Sequence, residues 1–208
     1  MITIGLTGGS GVGKTTVCQF FKKYGIPSLD TDLVSRAVCQ PGSPCLASLI
    51  EYFGKSIIRG DGTLNRRKLA VIVFEEKNDE KRAEKLQMLN QITHRYILAS
   101  CSCWLNDRKA EGCSAAIIDA PLLFESGYNE HCDTVVGILA DQEVRVARIM
   151  ERDALDETAA RARISAQKSE AFLREHCDHL IMNNGTLDET EAQVRAVAEA
   201  ILGKGGSV

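Results

Sequence analysis

Apolar positions along the chain fall into short unbroken runs separated by amphipathic stretches. Ile2 to Thr7 is a mostly apolar run that stops at Gly8-Gly9, and from Thr15 onward Val17, Phe20 and Phe21 recur at helical spacing, giving strand, glycine loop and helix in that order. Ile26 to Leu29, entered through Pro27, predicts a second brief strand that ends on Asp30-Thr31-Asp32, where acidic side chains suit the start of a following helix. Ala115 to Ile118 before Asp119, and Thr134 to Leu139 before Asp141, have the continuous apolar character of strands buried on both faces, and His179 to Met182 is a fifth candidate. Between them Leu86, Leu89, Ile92, Tyr96 and Ile97 share one helix face, and Thr190, Val194, Val197 and Ile201 another. Strands alternating with helices imply an α/β fold built on a doubly wound parallel sheet.

Residues 35–113 are too many for one crossover and hold several helical patterns, so they predict a helical region beside the sheet. Glu143 to Glu170 is dense in charge, with Arg145, Arg148, Arg152, Arg161, Arg163 and Lys168, and has few large apolar residues to anchor it, the profile of a mobile segment. The Gly203 to Val208 tail is expected to fray.

Composition narrows the picture. A chain of 208 residues, 44% hydrophobic with only 4 Pro, buries one sizeable core or one core with a small appended subdomain, which excludes disorder as the main state. Its 25 basic against 28 acidic residues leave a net charge of −3, so nothing draws it generally to nucleic acid or anionic lipid, and neither is an expected partner. Any polyanion must be met by a local site. No run approaches the ~20 apolar residues of a membrane span, and Met1 leads straight into Ile2-Thr3-Ile4 without a basic leader, so a cytoplasmic protein is expected. The 8 cysteines are scattered and read as reduced thiols; Cys101-Ser102-Cys103 and His176-Cys177-Asp178-His179 lack the second half of a zinc site.

The local site is explicit. Gly8-Gly9-Ser10-Gly11-Val12-Gly13-Lys14-Thr15 matches G-x-x-x-x-G-K-[ST] between a predicted strand and a predicted helix, the setting this phosphate-binding loop requires. Glycines let backbone N–H groups turn inward around a phosphate, the helix N-terminus adds partial positive charge, Lys14 reaches the β and γ phosphates, and Thr15 offers a hydroxyl to Mg²⁺. Four fixed positions arise by accident in roughly one chain of this length in 150, and the flanks make chance rarer. Gly9, Gly11, Val12, Gly13, Lys14, Thr15 and Thr16 are therefore expected to cradle the phosphates of a nucleotide, though the loop alone does not separate a kinase from a GTPase or an ATPase. A GTPase would add a D-x-x-G turn and an N-K-x-D or T-K-x-D motif, and the sequence has neither.

Other residues admit two readings each. Asp32 is the candidate general base toward an acceptor hydroxyl, with Asp30 orienting it, or both cap the next helix. Asp119 at a buried strand end either holds Mg²⁺ through a coordinated water or caps. Arg148 and Arg152, four apart, either fold over the triphosphate from a closing lid or face solvent. His94 is an acceptor ligand or a structural histidine, and Leu123, Phe124 and Glu125 line an acceptor cleft or pack in the core.

Over essentially its whole length the chain resembles the dephospho-coenzyme A kinase family. The match is carried by Thr7 to Thr16, by Asp30-Thr31-Asp32-Leu33-Val34-Ser35-Arg36, by Asp61 to Arg66 with Leu69 and Phe74, and by His94. It continues through Asp119-Ala120-Pro121-Leu122-Leu123-Phe124-Glu125, Arg148 to Asp153, Arg163-Ile164-Ser165-Ala166-Gln167 and Asn183-Asn184-Gly185. The resemblance implies a P-loop kinase-like architecture in three parts: a nucleotide-binding core (1–34, 114–142 and 171–208), a helical acceptor-binding region (35–113) and a mobile helical lid (143–170). It implies ATP and dephospho-coenzyme A as substrates with Mg²⁺, and Asp32 as base toward the ribose 3′-hydroxyl. By the same resemblance Lys14 and Arg148 are expected to act on the phosphates of ATP, Asn184 to lie near adenine, and Arg36, His94 and Leu123 to join Asp32 on the acceptor side. Two positions depart from the family pattern: Arg95 stands where proline usually follows His94, and Thr31 replaces alanine between the two aspartates.

Overall fold

Five parallel strands form one sheet in the order β2-β3-β1-β4-β5 in a computed structural model that describes residues 1–203. The strands are β1 (Ile2–Thr7), β2 (Ser28–Asp30), β3 (Ala115–Asp119), β4 (Thr134–Leu139) and β5 (His179–Met182). The helices are α1 (Lys14–Lys23), α2 (Thr31–Ala37), α3 (Pro44–Phe53), α4 (Arg66–Phe74), α5 (Asp79–Ala110), α6 (Gln142–Asp153), α7 (Glu157–Ser165), α8 (Glu170–His176) and α9 (Leu187–Gly203). The tail beyond Gly203, where fraying is expected, lies outside the described residues.

The chain separates into two compact units, Met1–Asp30 with Leu105–Val208, and Thr31–Trp104. In the first, Ile4 and Leu6 of β1, Ile117 of β3 and Val136 and Ile138 of β4 pack against Val17, Phe20 and Phe21 of α1 and Val194, Ala198 and Ile201 of α9. Burial of both sheet faces explains the unbroken apolar runs. β2 begins one residue after Pro27, because proline has no N–H for a ladder, although the Pro27 carbonyl already accepts from Ile117 N at 2.8 Å. On α9 the innermost stripe runs through Ala198, with Val197 packing at its edge.

The second unit has its own core of Cys45, Leu46, Leu49, Ile57, Leu69 and Val73, against which Leu86, Leu89, Ile92 and Tyr96 of α5 pack. α5 runs unbroken through Arg95, as a residue with a backbone N–H allows and a proline would not. The charge-dense stretch also has an apolar anchor: Val146 and Ile149 of α6 meet Ala160 of α7, with Leu155 and Ile164 beside them. Much of its charge is paired internally, Arg161 with Glu143 and Glu157, and Asp153 with Arg152 and Arg163.

The strand register aligns the carboxyl ends. Leu6 and Asp30 both pair with Asp119, and Thr7 pairs with Gly137, so the glycine loop, Asp30 and Asp119 emerge at one edge of the sheet, where parallel α/β folds hold ligands.

Candidate active site

The loop between β1 and α1 is held open by its backbone. Gly13 caps α1 in the left-handed region (φ 87°), and a side chain there would run into the Asn183 amide. Gly11 (φ 80°) passes so close to α6 that a Cβ would lie 2.7 Å from the Arg145 carbonyl oxygen. Val12 is the loop's root, 2% exposed and part of the main core. Val12 N donates to Gly9 O at 3.4 Å, and Thr16 N and Val17 N donate to Gly13 O at 3.1 and 3.3 Å, so the N–H groups of Gly13, Lys14 and Thr15, at the start of α1, precede the first intrahelical acceptor and are the ones available to an anion. Lys14 Nζ donates to Gly8 O at 3.0 Å, which folds the ammonium back over the loop. Gly9 lies under the Arg145 guanidinium and Gln167 amide, and the Thr15 side chain is exposed at the start of α1.

Asp119 ends β3 beside α1: its Oδ2 lies 3.8 Å from Cys18 Sγ. Burial first, and the Asp119 charge second, push the Cys18 thiol up to about 12, so it stays protonated and leaves the carboxylate as the local negative charge. Cys18 is one turn beyond Thr15, so the Thr15 hydroxyl and the Asp119 carboxylate share one side of α1. Hard oxygen donors in that pairing fit Mg²⁺, which takes one or two protein oxygens and keeps its other positions for phosphate and water. Asp30 lies across the register from Asp119, and Asp32 follows two residues later in the first turn of α2.

Two arginines of α6 face the loop, but the pair is not Arg148 and Arg152. Arg148 Nη1 donates to Gly11 O at 3.3 Å, whereas Arg152 is turned away, doubly bonded to Asp153 at 2.8 Å. The second arginine is Arg145, three residues before Arg148. Its Nε donates to Ser10 O at 2.9 Å and its Nη2 to Gln167 Oε1 at 2.9 Å, and burial lowers its pKa from the usual arginine value while Glu170 opposes that. Gln167 Oε1 also accepts from Ser10 N at 2.9 Å, and Gln167 Nε2 donates to Ser10 Oγ at 3.1 Å.

On the core side, buried Asn183 donates from Nδ2 to Val12 O at 2.8 Å and accepts from Thr190 Oγ1 at 2.9 Å. Of the two asparagines it is Asn183 that touches the phosphate loop; Asn184 Oδ1 accepts from Asp141 N at 2.7 Å and holds the start of α6 near the end of β5. Arg145, Gln167, Asn183 and Ser10 thus join the site, although the sequence reading placed them in its motifs and charged stretch without giving any of them a role there.

The expected acceptor residues divide. Leu123 does not line a cleft: it is 0% exposed, and a Cβ on Gly5 of β1 would meet it at 2.9 Å, so it packs against the sheet. Its neighbours Leu122 and Phe124 face a pocket instead, with Thr7, Gly8, Gln167 and Lys168. Asp32, Arg36 and His94 all belong to the helical unit; Asp32 and Arg36 are exposed on α2 and His94 is half-buried midway along α5. Among the described residues no cluster of three His, Cys, Asp or Glu forms a metal site, and no helix is long and apolar enough to cross a membrane.

A family model described as dephospho-CoA kinase matches residues 2–189. A dephospho-CoA kinase of Corynebacterium glutamicum is 37% identical over 204 residues, 98% of this chain and 99% of that protein. Among solved structures, a protein from Thermus thermophilus superposes with a TM-score of 0.80 at 29% identity, covering 96% of this chain and 97% of its own. A dephospho-CoA kinase from Campylobacter jejuni superposes at 0.69 with 24% identity over 98% of both chains, a likeness of fold.

Proposed function

The chain belongs to the dephospho-CoA kinase family, and from that premise we propose how its own residues perform the reaction. The protein phosphorylates dephospho-CoA with ATP, the last step of coenzyme A biosynthesis, on a P-loop kinase fold. The observation that carries the assignment of roles is the aligned strand edge, which gathers the glycine loop, Asp119 and Asp30 in one place.

The N–H groups of Gly13, Lys14 and Thr15 at the N-terminus of α1 bind the phosphates, and Lys14 exchanges its bond to Gly8 O for the β and γ oxygens. Arg148, already reaching the loop from α6, donates to the transferring phosphoryl group as its charge spreads. Thr15 and Asp119, the latter through a water, would hold Mg²⁺, which when bound neutralises charge on the β and γ oxygens. Asp32 takes the proton from the ribose 3′-hydroxyl, which requires an exposed, ionised carboxylate, and it is exposed. Thr31–Trp104 supplies the acceptor-binding surface, with Arg36 and His94 on it and the buried Leu123 withdrawn from that role, and residues 143–170 form the closing lid. Closure excludes water and so favours transfer over hydrolysis. The eight cysteines, none of them in a disulfide, suit a reducing cytoplasm.

Asp32→Asn tests the chemistry, since asparagine still caps a helix but cannot accept a proton. Purified protein with Mg·ATP is offered dephospho-CoA, shikimate or a nucleoside while ADP is followed. Wild type is expected to turn over with dephospho-CoA alone, and the variant to lose roughly 10²- to 10⁴-fold in transfer rate with ATP affinity and melting temperature retained. A variant within a few-fold of wild type would remove Asp32 from the role of base.

A further inference from the structure

Ser10 of the loop is held through both its backbone and its side chain by α6 and the segment just beyond α7. Its N–H donates to Gln167 Oε1, its hydroxyl oxygen accepts from Gln167 Nε2, and its carbonyl accepts from Arg145 Nε, at 2.9, 3.1 and 2.9 Å. The ring closes through the 2.9 Å bond from Arg145 Nη2 to the same Gln167 oxygen. Arg145 belongs to α6 and Gln167 lies just beyond α7, so both ends of the hairpin meet on one loop residue.

We propose that Gln167 is a positioning residue: a clasp that fixes the β1 side of the phosphate loop and, through Arg145, the helix that presents Arg148. The alternative is a plug, an amide oxygen that occupies a phosphate-binding N–H until nucleotide displaces it. The geometry favours the clasp. A stand-in for phosphate would need only the Ser10 N–H, whereas Gln167 uses both ends of its amide and also satisfies the guanidinium of half-buried Arg145, which displacement would leave without that acceptor. Arg145 and Arg148, at i and i+3 on α6, share a face, so anchoring the first sets the reach of the second to Gly11 O. Gln167 acts on the transferring phosphoryl group through these residues.

The inference rests on the phosphate-loop reading of Gly8 to Thr15, so Lys14→Ala is measured beside it. Gln167→Met keeps length and bulk and removes every polar contact. Three quantities are read: affinity for a non-hydrolysable ATP analogue, transfer rate to dephospho-CoA, and ADP formed in excess of coenzyme A. Loss of the clasp is expected to weaken nucleotide binding about tenfold and slow transfer about 10- to 100-fold, as small misplacements of catalytic groups do. Excess ADP should rise, because a loosened lid admits water, while KM for dephospho-CoA stays within about twofold. Tighter nucleotide binding establishes the plug and overturns the clasp, as does a variant with wild-type affinity, rate and ADP ratio. If Gln167→Met does not fold, Ser10→Ala, which deletes only the hydroxyl contact, must shift affinity and ADP ratio in the same direction by a smaller factor. Wild-type turnover in Lys14→Ala would instead overturn the phosphate-loop reading itself.

Discussion

Asn183→Ala isolates the buried side of the loop. Asn183 is 5% exposed and bridges two groups in the core, giving a 2.8 Å bond to Val12 O and receiving a 2.9 Å bond from Thr190 Oγ1. Truncation affects the partners unequally. The Thr190 hydroxyl still has Thr186 O at 3.1 Å, whereas the Val12 carbonyl, on a residue only 2% exposed, loses its side-chain donor. One lost hydrogen bond costs about 1 kcal/mol and a buried acceptor left without its donor a further 1–2 kcal/mol, so stability should fall by about 2–3 kcal/mol. For a chain of this size that lowers the melting temperature by about 4–12 °C. ATP affinity should fall too, because the same amide packs against Gly13, whose left-handed backbone starts α1. Urea unfolding followed by circular dichroism and by Trp104 fluorescence supplies the free energy and checks that the two transitions coincide. A loss below about 0.5 kcal/mol, the size of a surface substitution, would refute the reasoning, since it would mean that the Val12 carbonyl does not depend on Asn183.

Arg148→Ala should lower the transfer rate at saturating ATP by about 10²-fold, while Arg152→Ala, whose guanidinium is bonded to Asp153, should stay within about twofold; equal losses in steady-state assays would contradict the geometry. Asp153, held down to about 2 by hydrogen bonds from Arg152 and then Arg163, is a carboxylate with a depressed folded pKa, so its stabilising effect is present above the ordinary value of 3.8 and is lost as pH falls toward 2. Asp153→Asn should therefore weaken the protein in urea unfolding at about pH 6 more than at about pH 2.5. Iodoacetamide at about pH 8, followed by peptide mass spectrometry, should modify exposed Cys103 first and leave Cys18 intact until unfolding, since burial and Asp119 push the Cys18 thiol up to about 12.

Regular elements with one clear period were legible at residue level. β1, β4 and β5 occupy the runs read from apolar continuity, Ile2–Thr7, Thr134–Leu139 and His179–Met182, because both sheet faces are buried and, Thr3 aside, polar residues fall only at the strand ends. The hairpin of α6 and α7 was read as poorly anchored because Val146 and Ile149 are diluted by charge, yet their spacing of three puts them on one face against Ala160. Leu123 was misplaced for a related reason. Pro121 to Phe124 is a turn without a repeat, so its apolar pattern does not say which of three consecutive apolar side chains points inward.

The site divides along the same line. Gly8 to Thr15 was legible because its chemistry is backbone conformation, and backbone conformation is written in adjacent residues. Arg145, Gln167 and Asn183 reach the loop through long-range bonds, 135, 157 and 171 residues from their partners, and such bonds leave no spacing to detect. The two kinds of contact also differ in what they can do. Asn183 and Val12 are buried, so their bond can open only with the core around it. Gln167 and Arg145 hold Ser10 from a hairpin anchored by three buried residues, Val146, Ile149 and Ala160, and otherwise rich in exposed ion pairs, which contribute little to stability. One loop is thus fixed on its inner side by the main core and on its outer side by a hairpin with a smaller core of its own. The inner contact therefore keeps the start of α1 in place whether or not the outer one is made, which is why Asn183→Ala is expected to register in stability and Gln167→Met in nucleotide affinity and transfer rate.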